Sequence, residues 1–379
     1  MPKPQKILAS ILFSLLCFCS NGYAIDQCSA FFGIESYHAN QSFGRQIFSR
    51  ELKSVEDFVS QYQDLSFAEL VNAILASDLR KQFFQLRILS QTYEAFDAHF
   101  FSDQVKRFKD FEFLIGRIDL YTKLADHPVA KEEPEVAAFF LQEKVRVTEL
   151  FRDSLKKIGT VHNPQKAFQK IAKKFEDYPS WPNAQRDSRF LVDEAISFAS
   201  NLNIEIQNKK YDSEDLEKGL HKLRRRLREL TIRIKNWDGL VQLVDEGPLH
   251  SELRSWYLEL QKKYPEMTGS PYLPRGTPEI AKPILVAAKL ESMITAIVGE
   301  IGSSKDQIEP LNYLNEVLES GRLSPEVQKR VAAKLQDLKS QASDELKLVH
   351  DLQSRITATQ LLEEIVRFLK MFNQTSPIN

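Results

Sequence analysis

Residues 220–230 read Leu-His-Lys-Leu-Arg-Arg-Arg-Leu-Arg-Glu-Leu, and this stretch carries the pattern that decides the fold. Its apolar residues recur in alternating steps of four and three, which places them on one face of an α-helix. The same apolar seam continues in both directions and comprises Leu216, Leu220, Leu223, Leu227, Leu230, Ile234 and Trp237. A seam of this length predicts a helix with one side buried in a core.

Basic side chains accompany this seam. His221, Arg224, Arg228 and Lys235 each follow a seam position directly, and Arg225 widens the cationic stripe that they form. Because packing of the seam would fix their positions, these cations could face one ligand together. The alternative is a solvated helix face, whose arginines pair with nearby acids; these are Glu214, Asp215, Glu217 and Glu229.

The rest of the chain repeats the helical pattern. Only 13 of 379 residues are glycine, and no stretch of useful length alternates as a strand would. The sequence therefore predicts an all-α fold of antiparallel helical bundles, in two packed helical regions. Local sequence signals predict a first helix from Ser54, a helix that Ser102 caps, and a helix over residues 284–301. Ser304 and Gln307 have the spacing of a capping box that would start the next helix. Residues 340–343 are a candidate break in the last long helix.

The first two dozen residues resemble an export signal. Lys3 and Lys6 precede an apolar run over residues 7–19, and Gly22-Tyr23-Ala24 offers small residues for cleavage. An uncut anchor is the alternative. No later segment is apolar for the roughly 20 residues that a membrane span needs, so the mature protein is expected to be periplasmic or secreted.

Removal of residues 1–24 would leave 49 basic and 52 acidic side chains, a net charge of −3. Binding of an anion would then depend on local clustering of cations. Cys28 would be the one remaining cysteine, so an internal disulfide is not expected. The segment 178–183 contains two prolines and is predicted to link an N-terminal helical region, 25–183, to a C-terminal one, 184–379.

Motifs for catalysis or metal binding are not apparent in the sequence. It contains no phosphate-cradling glycine loop, no nucleophile elbow and no histidine or cysteine pair at metal spacing. Acidic pairs such as Glu132-Glu133 are interpreted as solvated helix faces. We therefore expect a protein that is not an enzyme and has no cofactor or bound metal.

Two short segments resemble the CHAD family, the conserved-histidine α-helical domains. His221-Lys222-Leu223-Arg224, followed one turn later by Arg228, resembles the family's His-x-x-Arg-x-x-x-Arg signature. Residues 301–306, Ile-Gly-Ser-Ser-Lys-Asp, are similar to its Leu-Gly-x-x-Arg-Asp stretch, with Lys305 in place of the arginine. The resemblance covers residues 184–379 and implies paired four-helix bundles with a basic cleft for polyphosphate.

Together these features predict an exported binding protein whose basic helix face takes polyphosphate or another polyanion. The candidate contact residues are His221, Arg224, Arg225, Arg228 and Lys305, with Arg226 off the stripe. If His221 lies among the arginines, mildly acidic pH would strengthen binding by protonating it. The alternative function is a cell-envelope scaffold that binds a protein partner through its helical faces or through residues 178–183 or 264–283.

Overall fold

The computed structural model describes residues 42–62, 64–158, 164–211, 217–235, 241–245, 247–265 and 284–373. These residues belong to one compact unit that spans 42–379. The predicted signal peptide and Cys28 lie outside the described residues.

Helices make up nearly all of the regular structure in these ranges, which confirms the all-α prediction. In chain order they are α1 (Phe43–Gln61), α2 (Phe67–Leu75), α3 (Leu79–Glu94), α4 (Ala98–Ala125), α5 (Pro128–Glu132), α6 (Pro134–Ile158), α7 (Pro164–Glu176), α8 (Ala184–Gln207), a π-helical turn (Glu217–His221), α9 (Lys222–Lys235), α10 (Ser251–Lys263), α11 (Ala288–Glu319), α12 (Pro325–Ala358) and α13 (Leu361–Asn373).

Two short strands are the exception to the helical pattern. β1 (Val241–Val244) pairs in parallel with β2 (Ile284–Ala287), with Val241 opposite Ile284 and Val244 opposite Ala287. The prediction of a helix from residue 284 is therefore wrong by one turn, because α11 begins at Ala288. Three consecutive β-branched or γ-branched residues precede that point, and their side chains suit an extended segment packed against α13.

The seam of α9 lies at the centre of the fold. Leu220, Leu223, Leu227 and Leu230 have no exposed surface, and Ile234 is 2% exposed. α9 packs against α3, α8 and α11, so this helix contacts helices from both predicted regions. The periodicity thus predicts the buried face correctly over residues 220–234, and Leu216 and Trp237 lie outside the described residues.

Contacts also cross the predicted linker. The Trp181 ring lies 5.7 Å from those of Phe48 and Tyr93 and 5.8 Å from that of Phe101, between centroids. Just beyond the linker, the buried carboxylate of Asp187 accepts hydrogen bonds from Tyr93 Oη at 2.5 Å, Ser42 Oγ at 2.6 Å and Gly44 N at 2.9 Å. These bonds fasten α8 to the start of α1. The division after residue 183 stays a prediction.

Several helix boundaries differ from those predicted. α1 begins at Phe43 rather than Ser54, with Ser42 Oγ accepting a hydrogen bond from Arg45 N. Asp97 caps α4 by accepting from Phe100 N at 3.1 Å, whereas the Ser102 hydroxyl donates to Glu94. α11 runs through the predicted capping box, and α12 runs through residues 340–343.

Candidate anion-binding site

Two arginines of the predicted stripe, Arg224 and Arg228, line one groove. Its walls come from α9, from the end of α2 and start of α3, from α4 and from α11, and its volume is about 600 Å³. Pockets of 300–1,000 Å³ are typical of small-molecule sites. The stripe therefore faces a concavity at these two positions rather than a convex solvated surface.

Arg224 is held against the backbone of α11. Its Nε donates to the carbonyl oxygen of Val298 at 3.3 Å, and its guanidinium lies where a side chain at residue 302 would otherwise be. A Cβ atom built on Gly302 would be 2.8 Å from Arg224 Nη2. Among the described residues no carboxylate lies within 4.0 Å of this guanidinium, and Asp306 and Glu309 act on its charge from a greater distance.

Arg228 lies over an aromatic ring in the same groove. Its guanidinium carbon is 3.8 Å from the centroid of Phe84, and Nη2 is 4.0 Å from Glu112 Oε1. Burial, followed by the neighbouring charge of Arg224, lowers the pKa of Arg228 to about 10. Arg228 thus stays protonated at neutral pH, and its Nε has no hydrogen-bond partner among the described residues.

A third arginine, Arg80, was not predicted from the sequence. It lies in the first turn of α3, with Nη1 3.9 Å from Asp119 Oδ2, and it also lines the groove. Its positive charge contributes to lowering the pKa values of Arg224 and Arg228, after burial as the main cause. The groove therefore brings together three guanidinium groups from two helices that are far apart in sequence.

The sequence does contain a signal for Arg80. Cations are unfavourable in the first turn of a helix, where the backbone dipole already supplies partial positive charge. α3 nevertheless begins Leu79-Arg80-Lys81, has no acid in its first turn, and receives no side-chain cap from Asp78. A bound anion would interact favourably with the backbone N–H groups and with Arg80 at this end of α3.

His221 and Arg225 lie beside the groove and do not line it. Arg225 is exposed, and its Nη2 donates to His221 Nε2 at 2.7 Å, so the proton of the neutral imidazole is on Nδ1. Burial, then the charges of Arg225, Lys305, Arg224 and Arg228, lower the pKa of His221 to about 3. The expectation that mildly acidic pH protonates His221 is therefore wrong for the free protein.

Lys305 is also close to His221, but it is buried and engaged by acids. Its Nζ is 2.5 Å from Glu309 Oε2 and 4.0 Å from Asp306 Oδ1. Nine per cent of the residue is exposed, and it does not line the groove. The structure thus brings Lys305 near the cationic stripe without presenting its ammonium group to the groove.

Arg226 points to another face of α9, as the sequence predicts. It pairs with Glu205 at 3.2 Å and with Glu229 at 3.1 Å, and lies over Phe198. The predicted pairing with Glu229 is thus present at Arg226, but Glu229 is buried and Arg226 is half-buried, so the pair does not lie on a solvated face. The side chains of Glu214, Asp215, Glu217 and Lys235 lie outside the described residues.

Further observations concern the described ranges as a whole. No cluster of three or more His, Cys, Asp or Glu residues within them is arranged to hold a metal ion. None of their helices carries an apolar stretch that would cross a bilayer. Comparisons of the chain with family models, with curated proteins and with solved structures gave no match. The resemblance to the CHAD family therefore stays a prediction from two short motifs.

Proposed function

We propose that this protein is a non-enzymatic binding protein that takes phosphate-bearing anions in the groove formed by α3, α4, α9 and α11. The observation that carries the proposal is the convergence of Arg80, Arg224 and Arg228 on one concave surface. Guanidinium groups match the geometry of phosphate oxygens, and a fixed set of them loses little entropy when an anion binds. Polyphosphate, the ligand implied by the CHAD resemblance, is the first probe.

Arg224 provides the strongest support for a ligand. Arg224 is half-buried, and the effect of Asp306 and Glu309 on its pKa is smaller than that of burial, so a bound phosphate would supply a counterion closer than either carboxylate. Burial lowers the pKa of Arg224, which expresses the cost of its lost hydration. Each charge-assisted hydrogen bond contributes about 1.5–3 kcal/mol, so one arginine should have a measurable effect on affinity.

The first prediction concerns polyphosphate affinity. We expect Arg224→Gln and Arg80→Gln each to weaken binding of long-chain polyphosphate by about tenfold or more, measured by titration calorimetry at low salt. Affinity should fall as salt is raised from about 0.01 to 0.15 M, because screening shortens the range of the attraction.

Arg225→Gln is the matched control. It removes the same unit charge from the same helix, but Arg225 is exposed and does not line the groove. We expect its effect to stay below about threefold. Equal losses from Arg224→Gln and Arg225→Gln would indicate diffuse attraction to the helix face, and absence of binding by the unmodified protein at low salt would refute the proposal. Arg226→Gln is less suitable, because it would leave buried Glu229 with one cation fewer.

The exported location is part of the same proposal. It is supported by Lys3, Lys6, the apolar run over residues 7–19 and the small residues before position 25. The scaffold alternative has less support from the described residues, since Tyr178 is buried and Trp181 packs among core aromatic rings. The other predicted partner segment is 264–283, and residues 266–283 of it lie outside the described residues.

A further inference from the structure

The floor of the groove is apolar. Phe84, Ile115 and Ile232 line it and are each at most 6% exposed, and half-buried Val298 lines it beside them. The guanidinium of Arg228 rests directly on the Phe84 ring. Cationic groups and an apolar surface are therefore adjacent within one cavity, and neither inorganic phosphate nor a polyphosphate chain would use the apolar part.

The charge balance of the groove is modest. Five cations line it, namely Arg80, Lys81, Lys123, Arg224 and Arg228, together with three carboxylates, namely Asp78, Glu112 and Asp119. The resulting excess is two positive charges. A phosphate monoester carries about −1.5 to −2 at neutral pH, so one such group matches the excess, whereas a long polyanion would also meet the carboxylates.

We infer that the groove binds a phosphate monoester that carries an apolar substituent. The phosphate lies among Arg80, Arg224 and Arg228, and the substituent lies against the half-buried side chains of Leu75 and Val298, above the buried floor of Phe84, Ile115 and Ile232. This inference rests on the proposed anion-binding function and specifies its ligand class. Removal of apolar surface from water contributes about 0.8 kcal/mol per CH₂ group, so the substituent adds affinity that inorganic phosphate lacks.

The second prediction compares ligands on the purified full chain by titration calorimetry. Octyl phosphate, kept below its micellar concentration, is expected to bind at least tenfold more tightly than inorganic phosphate, with a negative heat-capacity change. 1-Octanol, which lacks the charge, should bind at least tenfold more weakly than octyl phosphate. Equal affinity for octyl phosphate and inorganic phosphate would overturn the inference, as would equal affinity for octyl phosphate and 1-octanol.

Two positions in α11 separate the charge from the apolar contact. Gly299 lines the groove, and a Cβ atom built there meets nothing within 4 Å, so a side chain can start from this position without a clash. Gly299→Glu should weaken binding of both phosphates at least tenfold by repulsion, and Gly299→Gln, which has nearly the same size without the charge, should weaken it by less than about threefold. Val298→Thr keeps the side-chain shape but adds a hydroxyl, and it should weaken octyl phosphate about threefold to tenfold without affecting inorganic phosphate.

The outcomes distinguish the two proposals. If no phosphate binds, the proposed function and the inference both fail. If octyl phosphate and inorganic phosphate bind with equal affinity, and Val298→Thr changes both affinities by the same factor, only the inference fails. Sedimentation with phosphatidylcholine vesicles that contain phosphatidic acid would show that the monoester belongs to a lipid. Binding of octyl phosphate without sedimentation would show that it belongs to a soluble ester.

Discussion

His221 lies in surroundings that oppose its charged form. Its ring is largely buried, its Nδ1 has no partner among the described residues, and Arg225 donates to its Nε2. The charged groups that act on its ring are Arg224, Arg225 and Arg228 from its own helical segment and Lys305 from α11. Burial of the ring is the main reason that the pKa of His221 falls to about 3, and the positive charges of these four groups lower it further. The imidazole therefore acts as a neutral acceptor that orders Arg225.

This setting predicts how stability depends on pH. The unfolded chain titrates its histidine near pH 6.5, whereas the folded state keeps His221 neutral down to about pH 3. Over that interval the unfolded state binds the extra proton, so the contribution of His221 to stability falls as the pH is lowered from 6.5 towards 3. We expect His221→Gln to reduce this fall, as measured by urea unfolding at pH 7 and pH 4.5.

The control for that experiment is His350→Gln, which changes an exposed histidine on α12. The His350 side chain is 62% exposed. Its replacement should leave the pH dependence of the unfolding free energy as in the unmodified protein. If His221→Gln and His350→Gln show the same pH dependence, His221 is not held neutral in the folded state.

Helix α11 shows how burial decides where an element ends. Ser304 and Gln307 have the spacing of a capping box, and a cap contributes only about 1 kcal/mol. Ile301, Ile308 and Leu311 continue a buried face across that point, each at 5% exposure or less. Burial of such side chains contributes about 1.5–3 kcal/mol each. The helix therefore continues through a local signal that, taken alone, predicts a start.

Replacement of glycine by alanine is expected to have opposite effects on stability at two helical positions, Gly44 and Gly299. In α1, a Cβ atom on Gly44 would lie 2.1 Å from Tyr93 Oη, so Gly44→Ala displaces the ring that donates to Asp187. We expect it to destabilise the protein by about 1–3 kcal/mol. In α11, Gly299→Ala meets no neighbour and should stabilise by about 0.5–1 kcal/mol. Urea unfolding of both variants measures the difference.

The test is whether each alanine substitution raises or lowers the free energy of unfolding. Helix propensity alone predicts that alanine stabilises at both positions, because glycine is the poorer helix former. Equal stabilisation by Gly44→Ala and Gly299→Ala would show that Tyr93 moves aside without cost. A destabilising Gly299→Ala would show that the wall of the groove at residue 299 is more crowded than the structure indicates.

Across the whole molecule, the sequence predicts which face of a helix is buried better than it predicts which distant residues come into contact. The spacing of the seam correctly indicates which side of α9 is buried, because periodicity is a local property. It does not indicate that Arg80, Phe84 and Glu112 approach Arg228, since these residues lie on helices more than a hundred positions earlier. Similarly, the sequence predicts that Glu133 belongs to a solvated face, whereas the residue is 4% exposed and pairs with Arg330 at 2.7 Å.

A chain of alternating charges joins the two predicted regions. Arg87 on α3 is 3.5 Å from Glu112 on α4 and 3.4 Å from Glu229 on α9. Glu229 also pairs with Arg226, which pairs with Glu205 on α8. The side chains of Arg87 and Glu229 are only 5% and 8% exposed. Buried charges of this kind depend on one another, because removal of one leaves its partner without hydration or a counterion.

The last prediction follows from that dependence. We expect Arg87→Met to lower the unfolding free energy by about 3–5 kcal/mol, the usual result of breaking a buried pair. Combining it with Glu229→Gln should cost about 0.5–3 kcal/mol less than the sum of the single changes. Lys53→Met, which breaks an exposed pair with Asp57, should cost less than about 1 kcal/mol. Strict additivity of Arg87→Met and Glu229→Gln in urea unfolding would show that this contact does not couple α3 to α9.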